Sequence, residues 1–437
     1  MLKEMRKGLN KVKKNVLVFS GGSYPGIEIY YALQHNLLFN PIGISSYSDH
    51  SEFVFKDFYT KLPYIQEPNF IDELNKVIYE TNSELIIPTH DTIALFLMKN
   101  ESKINAKIVC SPLFTAELCR YKSKTYDYFK NDFFVPKIYK DISNLEYPVF
   151  CKKDVSEGSK DAYLIKTTSD FSQINNIDDY VICEYLPGEE ITIDCFTDRH
   201  GKLRFINPRI RLRIMNGISA RAQNIELTEE VQKIVSTINE KTAFRGYWFV
   251  QLKKDIHGNF KLLEISTRFS GTFNLSQSLD VNLPLLALCD KLDMEVDILP
   301  NTYTVTSDKT YIDRYKIDYN YQRVYIDFDD TIAFNREKLN TLAMMFLYQC
   351  KNEKKDLVLI TKHEYDIYET LTKLNIDKDL FSSILRIPIN EYKYSYINND
   401  VPSIFIDNAF IERKFVKNHT NIPTFDVSNI SVLIDWS

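Results

Sequence analysis

Short apolar runs alternate with helical patterns at both ends of the chain, and this alternation limits the folds open to it more than any other feature. Near the start, an apolar run at residues 16–19 is followed by a glycine-containing turn at residues 20–23 and a helix-like stretch at residues 25–36. Near the end, apolar runs recur at residues 324–326, 357–360 and 403–406. Strands that alternate with helices form open parallel sheets. We therefore expect an α/β architecture at both ends.

The middle of the chain follows a different pattern. Arg209, Arg211 and Arg213 recur with period two, which places them on one face of a strand. The Asn-Gly pair at residues 216–217 is a strong hairpin-turn signal, and a second hairpin is expected around residues 255–258. This region is therefore predicted to be antiparallel and mixed.

These patterns divide the 437 residues into three expected domains, in line with a length that favours two or three. A polar, tyrosine-rich stretch at about residues 302–322 separates the last domain from the rest. We predict an open-sheet domain over residues 1–120, an α+β domain over residues 121–310 and a second α/β domain over residues 320–437.

Composition is that of a soluble globular protein and excludes several functions. The chain is 44% hydrophobic and 26% charged, and its formal net charge of -5 supplies no positive field for nucleic acid. Seven cysteines without CxxC spacing argue against a disulfide framework and a zinc site. No apolar run is long enough to span a bilayer. We expect a cytoplasmic protein with neither nucleic-acid nor membrane partners, and the oligomeric state stays open, with a homodimer among the alternatives.

The sharpest motif lies at the start of the last domain, where an apolar strand delivers two carboxylates into a turn. Asp327 and Asp329 stand two residues apart, Thr361 follows the next apolar run, and Asp407 follows the last one. Lys393 lies in the loop before that last run. Because ligands bind beyond the carboxyl ends of the strands in open α/β sheets, these side chains are expected to converge there.

Such a set suits the hydrolysis of a phosphate ester. One carboxylate attacks phosphorus to form an aspartyl phosphate, and a second protonates the leaving group and later activates water. A hydroxyl and an ammonium group hold the phosphate oxygens, while Mg²⁺ offsets the clustered negative charge.

Asp327, Asp329 and Thr331 match a DxDxT pattern, and the ordered set resembles the haloacid-dehalogenase (HAD) superfamily over about residues 320–437. The resemblance implies a HAD-like Rossmannoid α/β domain with phosphatase activity. It makes Asp327 the nucleophile and Asp329 the acid/base.

The same resemblance assigns roles to the remaining members of the set. Thr361 and Lys393 would bind phosphate, and Mg²⁺ would be held by three carboxylates, those of Asp327, Asp329 and Asp407. The family usually places a second acid near the position of Asp407, but here the neighbour is Asn408, and Glu412 is a candidate substitute. A purely structural domain is the alternative.

Charged residues of the middle domain fall in an order that suits nucleotide binding. Lys122 starts a helical stretch and Lys152 closes a strand, so two point charges from separate elements could neutralise a triphosphate. Ser159 lies in a short turn whose backbone N–H groups could cap phosphates. Glu184 ends a strand beside an exposed backbone segment that could read the adenine edge, with Glu190 facing the ribose.

Oxygen ligands for Mg²⁺ are expected on the hairpin that follows. Gln251 and Glu264 occupy its two strands, where their side chains could share ions that bridge the β- and γ-phosphates. Arg268 comes four residues after Glu264.

The whole series resembles the ATP-grasp superfamily over about residues 15–300, particularly its carbamoyl-phosphate-synthase-like and D-alanine–D-alanine-ligase-like members. The resemblance implies an N-terminal Rossmann-like pre-ATP-grasp domain and an α+β ATP-grasp domain, with ATP and Mg²⁺ as cofactors. ATP would be bound by Lys122, Lys152, Ser159, Glu184, Leu186 and Glu190. Mg²⁺ would be bound by Gln251, Glu264 and Ser266. Many relatives carry Asn at the position of Ser266, and Arg268 would hold the acyl substrate or the transferred phosphate.

Several residues stay open between a site and a structural role. Arg209 and Arg211 either line an anionic substrate site or balance local acids, with equal weight. His90 and Asp91 follow a strand at its carboxyl end, where they face the ligase cleft or serve as a solvated histidine and a helix cap. His363, just past Thr361, could reach the phosphatase site, but its position suits a variable loop.

We therefore expect an ATP-dependent carboxylate–amine ligase that works through an acyl phosphate, fused to a Mg²⁺-dependent phosphatase for a related phosphorylated metabolite. Its partners would be a small carboxylate and a small amine. The alternative is a phosphatase with an ATP-sensing N-terminal region.

Overall fold

The apolar runs near the start of the chain form a five-stranded sheet, seen in a computed structural model that describes residues 13–156, 161–215, 218–310 and 312–435. Every neighbouring pair in this sheet is parallel, as predicted, and the strand order is β3-β2-β1-β4-β5. The strands are β1 Lys14–Phe19, β2 Phe39–Ile44, β3 Asp57–Tyr59, β4 Ser83–Pro88 and β5 Lys107–Ile108. The helices are α1 Tyr24–Leu33, α2 Ser51–Val54, α3 Phe70–Glu80 and α4 Asp91–Lys99.

The local sequence after β1 determines where the first helix, α1, begins. Ser23 caps α1 by accepting a hydrogen bond from the backbone N–H of Gly26 at 3.2 Å, and Pro25 lies in the first turn, where its missing N–H costs nothing. A Cβ on Gly26 would lie 2.4 Å from the carbonyl oxygen of Gly21. Only glycine therefore lets the helix start so close to the turn after β1.

Two short helices, α5 Leu113–Arg120 and α6 Lys122–Tyr128, lead into a small antiparallel sheet of order β6-β9-β7-β8. Its strands are β6 Ile138–Tyr139, β7 Val149–Lys153, β8 Ala162–Ile165 and β9 Tyr180–Glu184.

A larger six-stranded antiparallel sheet follows, in the order β14-β13-β10-β11-β12-β15. Its strands are β10 Glu190–Thr197, β11 Leu203–Met215, β12 Ile218–Asn224, β13 Gly246–Lys254, β14 Phe260–Ser266 and β15 Thr306–Asp308. The helices of this region are α7 Glu229–Lys241, α8 Asn274–Ser278 and α9 Leu283–Lys291. Both predicted hairpins are present as the pairs β11–β12 and β13–β14, although the turn residues 216–217 lie outside the described residues.

Apolar side chains from the parallel sheet and from the large sheet meet in one core. That core includes Val16 and Ile87 from the first sheet, Phe249 from the large sheet and Leu283 from α9. Residues up to 311 accordingly form one compact unit, and the predicted boundary at residue 120 falls inside it. The aromatic run at residues 247–249 is buried in the core, and all seven cysteines are free.

The second unit, from residue 312 onward, contains another five-stranded sheet in which all pairs are parallel, with the order β20-β19-β16-β21-β22. Its strands are β16 Arg323–Ile326, β19 Asp356–Thr361, β20 Ser383–Arg386, β21 Ser403–Ile406 and β22 Thr424–Phe425, with the small hairpin β17 Ala333–Phe334 and β18 Lys338–Leu339. The helices are α10 Thr341–Asn352, α11 Ile367–Lys373 and α12 Phe410–Thr420.

Substitution of Gly26 by Ala tests the close approach at the start of α1. We expect Gly26→Ala to lower the free energy of unfolding of the first unit by about 1–3 kcal/mol, because the new Cβ collides with backbone that cannot move aside. Gly201→Ala is the matched control, since a Cβ there meets no atom within 4 Å and adds only the strain of a positive φ of 76°. Thermal unfolding followed by circular dichroism compares them, and equal losses would contradict the steric explanation.

Candidate functional sites

Two buried lysines of the first unit lie close to the carboxylate of Glu264. Lys152 is 7% exposed, and its Nζ donates to the hydroxyl of Tyr126 and, at 3.0 Å, to the carbonyl oxygen of Leu263. The Nζ of Lys122 lies 3.3 Å from the hydroxyl of Ser156. Burial lowers the pKa of both lysines, while the negative charge of Glu264 opposes that shift. The three predicted residues therefore belong to one electrostatic cluster.

The oxygen ligands predicted on the hairpin are brought side by side. Gln251 on β13 and Glu264 on β14 are direct register partners, so their side chains share one face of the large sheet. Glu190 begins β10, and its negative charge also raises the pKa of Lys152 against the effect of burial. Lysine from the small sheet and acids from the large sheet thus meet in the same cluster.

The predicted adenine-reading segment joins the two antiparallel sheets. Glu184 ends β9 of the small sheet, and its Oε1 accepts a hydrogen bond of 2.8 Å from the backbone N–H of Lys137. Leu186 is buried in the connection that leads to β10. Ser159, predicted to cap phosphates, lies outside the described residues. The roles of these residues in nucleotide binding stay predictions.

One carboxylate of the parallel sheet domain reaches two predicted site residues of the large sheet. Asp91, the first residue of α4, accepts a hydrogen bond of 2.5 Å from Ser266 Oγ and one of 2.8 Å from Arg268 Nε. Burial alone would raise the pKa of Asp91, but Arg268 and Ser266 outweigh it and hold that pKa below its usual value. Asp91 therefore contacts two residues predicted for the ligase site, and its place in a ligase cleft stays a prediction.

Arg209 does not line a substrate site in the structure, and this expectation is corrected. Its side chain is 1% exposed and forms an ion pair with Asp194, which is fully buried. It also donates to the hydroxyls of Ser270 at 2.7 Å and Thr272 at 2.9 Å. A guanidinium enclosed in this way is stabilised by its acid, which is the balancing role left open from the sequence.

The other two arginines of the same strand also face acids. Arg211 Nη1 lies 2.6 Å from Glu190 Oε1, so it contacts the cluster around Lys152, and its role in substrate binding stays a prediction. Arg213 pairs with Asp308 on β15.

In the second unit, three residues predicted from the strand ends meet at one point. Ile326 and Ile406 are register partners in β16 and β21, so the residues that follow them, Asp327 and Asp407, emerge side by side. The Nζ of Lys393 lies 2.6 Å from a carboxylate oxygen of each. The predicted convergence of the strand-end residues Asp327 and Asp407 is confirmed, and Lys393 joins them from the loop before the last strand.

Burial and the neighbouring charges shift the pKa values of Asp327 and Lys393. Burial raises the pKa of Asp327 to about 7, with a further contribution from the negative charge of Asp407 and an opposing one from Lys393. Burial would lower the pKa of Lys393, but the two carboxylates outweigh it and raise that pKa above its usual value. The ammonium group therefore stays charged between its partners at neutral pH.

His363 contacts Asp329, so of the two alternatives left open from the sequence the structure favours the one in which it reaches the candidate site. It is buried, its Nδ1 lies 3.0 Å from both carboxylate oxygens of Asp329, and its Nε2 lies 2.8 Å from Thr370 Oγ1. Arg336 also contacts Asp329, through Nε at 3.2 Å. The sequence signal for His363 was its place two residues after the strand-end Thr361.

The remaining predicted residues lie around the same centre. Thr361 is buried, and its Oγ1 accepts a hydrogen bond of 3.2 Å from the backbone N–H of His363. Thr331 Oγ1 donates to Asp327 at 3.4 Å. Glu412, considered as a substitute metal ligand, accepts instead from the backbone N–H of Lys393 at 3.1 Å.

Asp327 and Asp407 supply carboxylate oxygens, the ligand type that a hard cation prefers, but in the structure both are paired with Lys393. Asp329 instead faces His363 and Arg336. Within the described part of the chain, no group of three acidic, histidine or cysteine side chains is gathered for a metal ion.

A cavity of about 390 Å³ opens beside this centre. Its lining residues are Lys362, His363, Glu364, Arg386, Ile387, Pro388 and Ile389. His363 lines this cavity and also contacts Asp329, so a single residue separates the acid from the cavity.

Among the described helices, none combines the length and the apolar character that crossing a membrane requires.

Comparison with known proteins points to ATP-grasp proteins. Residues 176–311 match the family model described as ATP-grasp in the biosynthetic pathway with Ter operon. No curated protein that was compared matches the chain. The matched segment contains all six strands of the large sheet and ends where the first unit ends.

Solved structures similar to the chain support the same fold. The biotin carboxylase domain of 2-oxoglutarate carboxylase from Hydrogenobacter thermophilus, solved with MgADP and bicarbonate, has a TM-score of 0.57 at 14% identity over 68% of this chain and 74% of that chain. An L-amino acid ligase from Bacillus licheniformis gives 0.53 at 16% identity, over 64% and 75%. N5-carboxyaminoimidazole synthetase from Staphylococcus aureus gives 0.53 at 15% identity, over 66% and 80%. The chain thus contains a mixed α/β structure with similarity to the ATP-grasp fold.

The structural role of Arg209 can be tested by removing its charge. We expect Arg209→Met to lower the free energy of unfolding by about 3–5 kcal/mol, because Asp194 would be left as an unpaired buried carboxylate. Arg213→Met is the matched control on the same strand, and its ion pair is partly exposed. Denaturant unfolding of both variants provides the comparison, and an equal, small loss would contradict the buried-pair assignment.

Proposed function

We propose that the first unit is an ADP-forming carboxylate–amine ligase that uses ATP and Mg²⁺. The observation that carries the proposal is the cluster of Lys122, Lys152 and Glu264, because the two lysines and the acid come from three separate elements of the chain. Buried lysines are rarely placed together without an anion to bind, since each one repels the other. A triphosphate with its counter-cation is the ligand that balances this mixture of charges. The ATP-grasp similarity of the fold supports the same ligand.

The reaction would proceed in two transfers. The substrate carboxylate attacks the γ-phosphorus of ATP, which forms an acyl phosphate and releases ADP. The amine then attacks the acyl carbon, and phosphate leaves as the amide forms and a proton is lost from nitrogen. Lys122 and Lys152 would hold the phosphate oxygens, and Arg268 would hold the carboxylate or the transferred phosphoryl group. Positioning and charge neutralisation supply most of the rate increase in transfers of this type.

Mg²⁺ would supply further neutralisation of the phosphates when bound. The side-chain oxygens of Gln251 and Glu264, which face each other across β13 and β14, would hold it. Ser266 lies on the same strand face as Glu264, but its hydroxyl is engaged with Asp91.

For the second unit we propose phosphatase activity on a phosphorylated metabolite related to the ligase substrates. Asp327 would attack phosphorus and expel the alcohol, which takes a proton from Asp329. Asp329 would then accept a proton from the water that attacks the aspartyl phosphate, so that Asp327 and phosphate are released. Lys393 and Thr361 would hold the phosphate oxygens, and Asp327 and Asp407 would hold Mg²⁺.

The cavity beside Asp329 supports a site of this kind. The leaving group has to lie near Asp329, which would protonate it. His363 contacts Asp329 and also lines the cavity. A volume of about 390 Å³ accommodates a small metabolite.

Replacing Lys152 tests the ligase proposal. We expect Lys152→Met to reduce ADP formation, assayed with panels of small carboxylates and amines, by roughly 100-fold or more, because the buried phosphate contact is lost. Lys153→Met is the matched control, since the adjacent lysine points to the opposite face of β7 and should keep near wild-type activity. ADP release by Lys152→Met at the wild-type rate would refute the phosphate role of Lys152.

Replacing Asp327 tests the phosphatase proposal. We expect Asp327→Asn to abolish hydrolysis of para-nitrophenyl phosphate in the presence of Mg²⁺, because an amide cannot act as the nucleophile. Asp330→Asn is the control, since Asp330 is exposed and asparagine tolerates its positive φ of 54°. Hydrolysis that survives in Asp327→Asn would exclude the proposed mechanism.

The same preparations separate the proposal from a phosphatase with an ATP-sensing N-terminal region. A ligase consumes ATP in proportion to amide formed, whereas a sensor changes phosphatase activity without consuming ATP. Phosphatase activity that responds to a non-hydrolysable ATP analogue in wild type but not in Lys152→Met would favour the sensor.

A further inference from the structure

Asp91 joins the candidate ligase site from a part of the chain that lies far away in sequence. Its carboxylate binds Ser266 and Arg268, which are 175 and 177 residues further along the chain. The donors use different oxygens, Oδ1 for Ser266 and Oδ2 for Arg268. One carboxylate therefore sets the spacing between a hydroxyl and a guanidinium that both belong to the proposed site.

The position of Asp91 in its helix stabilises the negative charge with which it binds Ser266 and Arg268. It is the first residue of α4, where the partial positive charge of the helix terminus stabilises a carboxylate. Its side chain and that of Arg268 are partly buried, at 16% and 18% exposure. A charge-assisted hydrogen bond that is shielded from water is stronger and better directed than one on the surface.

Thr92, the residue after Asp91, forms a second contact between the start of α4 and the region of the proposed site. Thr92 Oγ1 accepts a hydrogen bond of 2.7 Å from Arg120 Nη2, two residues before Lys122. The start of α4 thus contacts both the strand that carries Glu264 and the segment that leads into the helix of Lys122.

Arg268 is held on several sides by these neighbours. Its Nε donates to Asp91, its Nη1 donates at 3.0 Å to the carbonyl oxygen of Phe269, and its guanidinium lies 5.2 Å from the centre of the Phe249 ring. The direction of the planar guanidinium fork is therefore defined before any ligand arrives. Preorganised charge of this kind lowers a barrier because no reorganisation is required during the reaction.

We propose that Asp91 is a positioning residue of the ligase site, which orients Arg268 toward the reacting carboxylate or phosphoryl group. The expected effect of Asp91 on the reaction rate rests on the proposed ligase function. Its expected effect on the orientation of Arg268 does not. Asp91 acts through Arg268, and it does not contact the substrate.

The kinetic test uses the full-length protein and a double-mutant cycle. We expect Asp91→Asn to lower kcat for ADP formation by roughly 100-fold, with KM for ATP within about twofold of wild type, because a misplaced Arg268 affects the transfer rather than nucleotide binding. In the Arg268→Gln background, the same Asp91→Asn change should alter kcat by less than about threefold, since the residue through which Asp91 acts is gone. Independent, multiplicative effects would overturn the proposal.

Asp72→Asn is the matched control. Asp72 also lies in the first turn of a helix, α3, but it is exposed, so its replacement removes a favourable helix-terminus charge without touching the site. It should keep wild-type kcat and KM, and an effect equal to that of Asp91→Asn would assign the loss to helix stability.

A second readout does not depend on turnover. In protein labelled with ¹⁵N-arginine, the Nε–H signal of Arg268, assigned by its absence in Arg268→Gln, should exchange slowly with solvent in wild type and in Asp72→Asn. It should exchange at least tenfold faster in Asp91→Asn. Unchanged exchange would refute the positioning role. Wild-type protein that forms no ADP with any substrate pair, but shows the expected exchange, would refute the ligase proposal alone.

Discussion

A buried charge persists in a folded protein only where an opposite charge or several hydrogen bonds replace the water it has lost, and this constraint organises both candidate sites. Lys393 lies between Asp327 and Asp407 in the second unit. In the first unit, Asp91 is held by Arg268 and Ser266. Each set joins residues from distant parts of the chain, so each is formed only when the surrounding sheets are in place.

The same constraint separates residues that support the fold from those available to a ligand. Arg209 is fully enclosed with Asp194, and its hydrogen bonds to Ser270 and Thr272 hold the segment just after Arg268. Lys122 and Lys152 are also buried, but their ammonium groups contact hydroxyl and carbonyl oxygens, and among the residues that the structure describes no hydrogen bond joins either lysine to a carboxylate. Their charges can therefore be matched by an arriving anion.

Much of the candidate phosphatase site could be predicted because the direction of a parallel strand fixes the edge of the sheet at which its last residue lies. Asp327 and Asp407 each follow an apolar run, and parallel strands end at the same edge, so sequence order was sufficient to bring them together. The role of His363 was left open from the sequence because a loop residue's orientation depends on what packs against it, here Phe328 at 5.3 Å between ring centres. In the first unit, strand periodicity predicted that three arginines share one face of β11, but the pairing with β12 is irregular between Arg211 and Arg213. The pattern also gave no account of which acids the arginines would meet.

The sequence by itself determined the alternation of strands and helices, the two antiparallel hairpins and the order of the charged residues, because all of these depend on side-chain periodicity and local turn chemistry. Only the tertiary structure decided which charges pair. Asp91 could cap its own helix or reach another sheet, and nothing local distinguishes these outcomes. Its contact with Arg268 exists because the parallel sheet and the large sheet share one hydrophobic core, which brings the start of α4 against the end of β14.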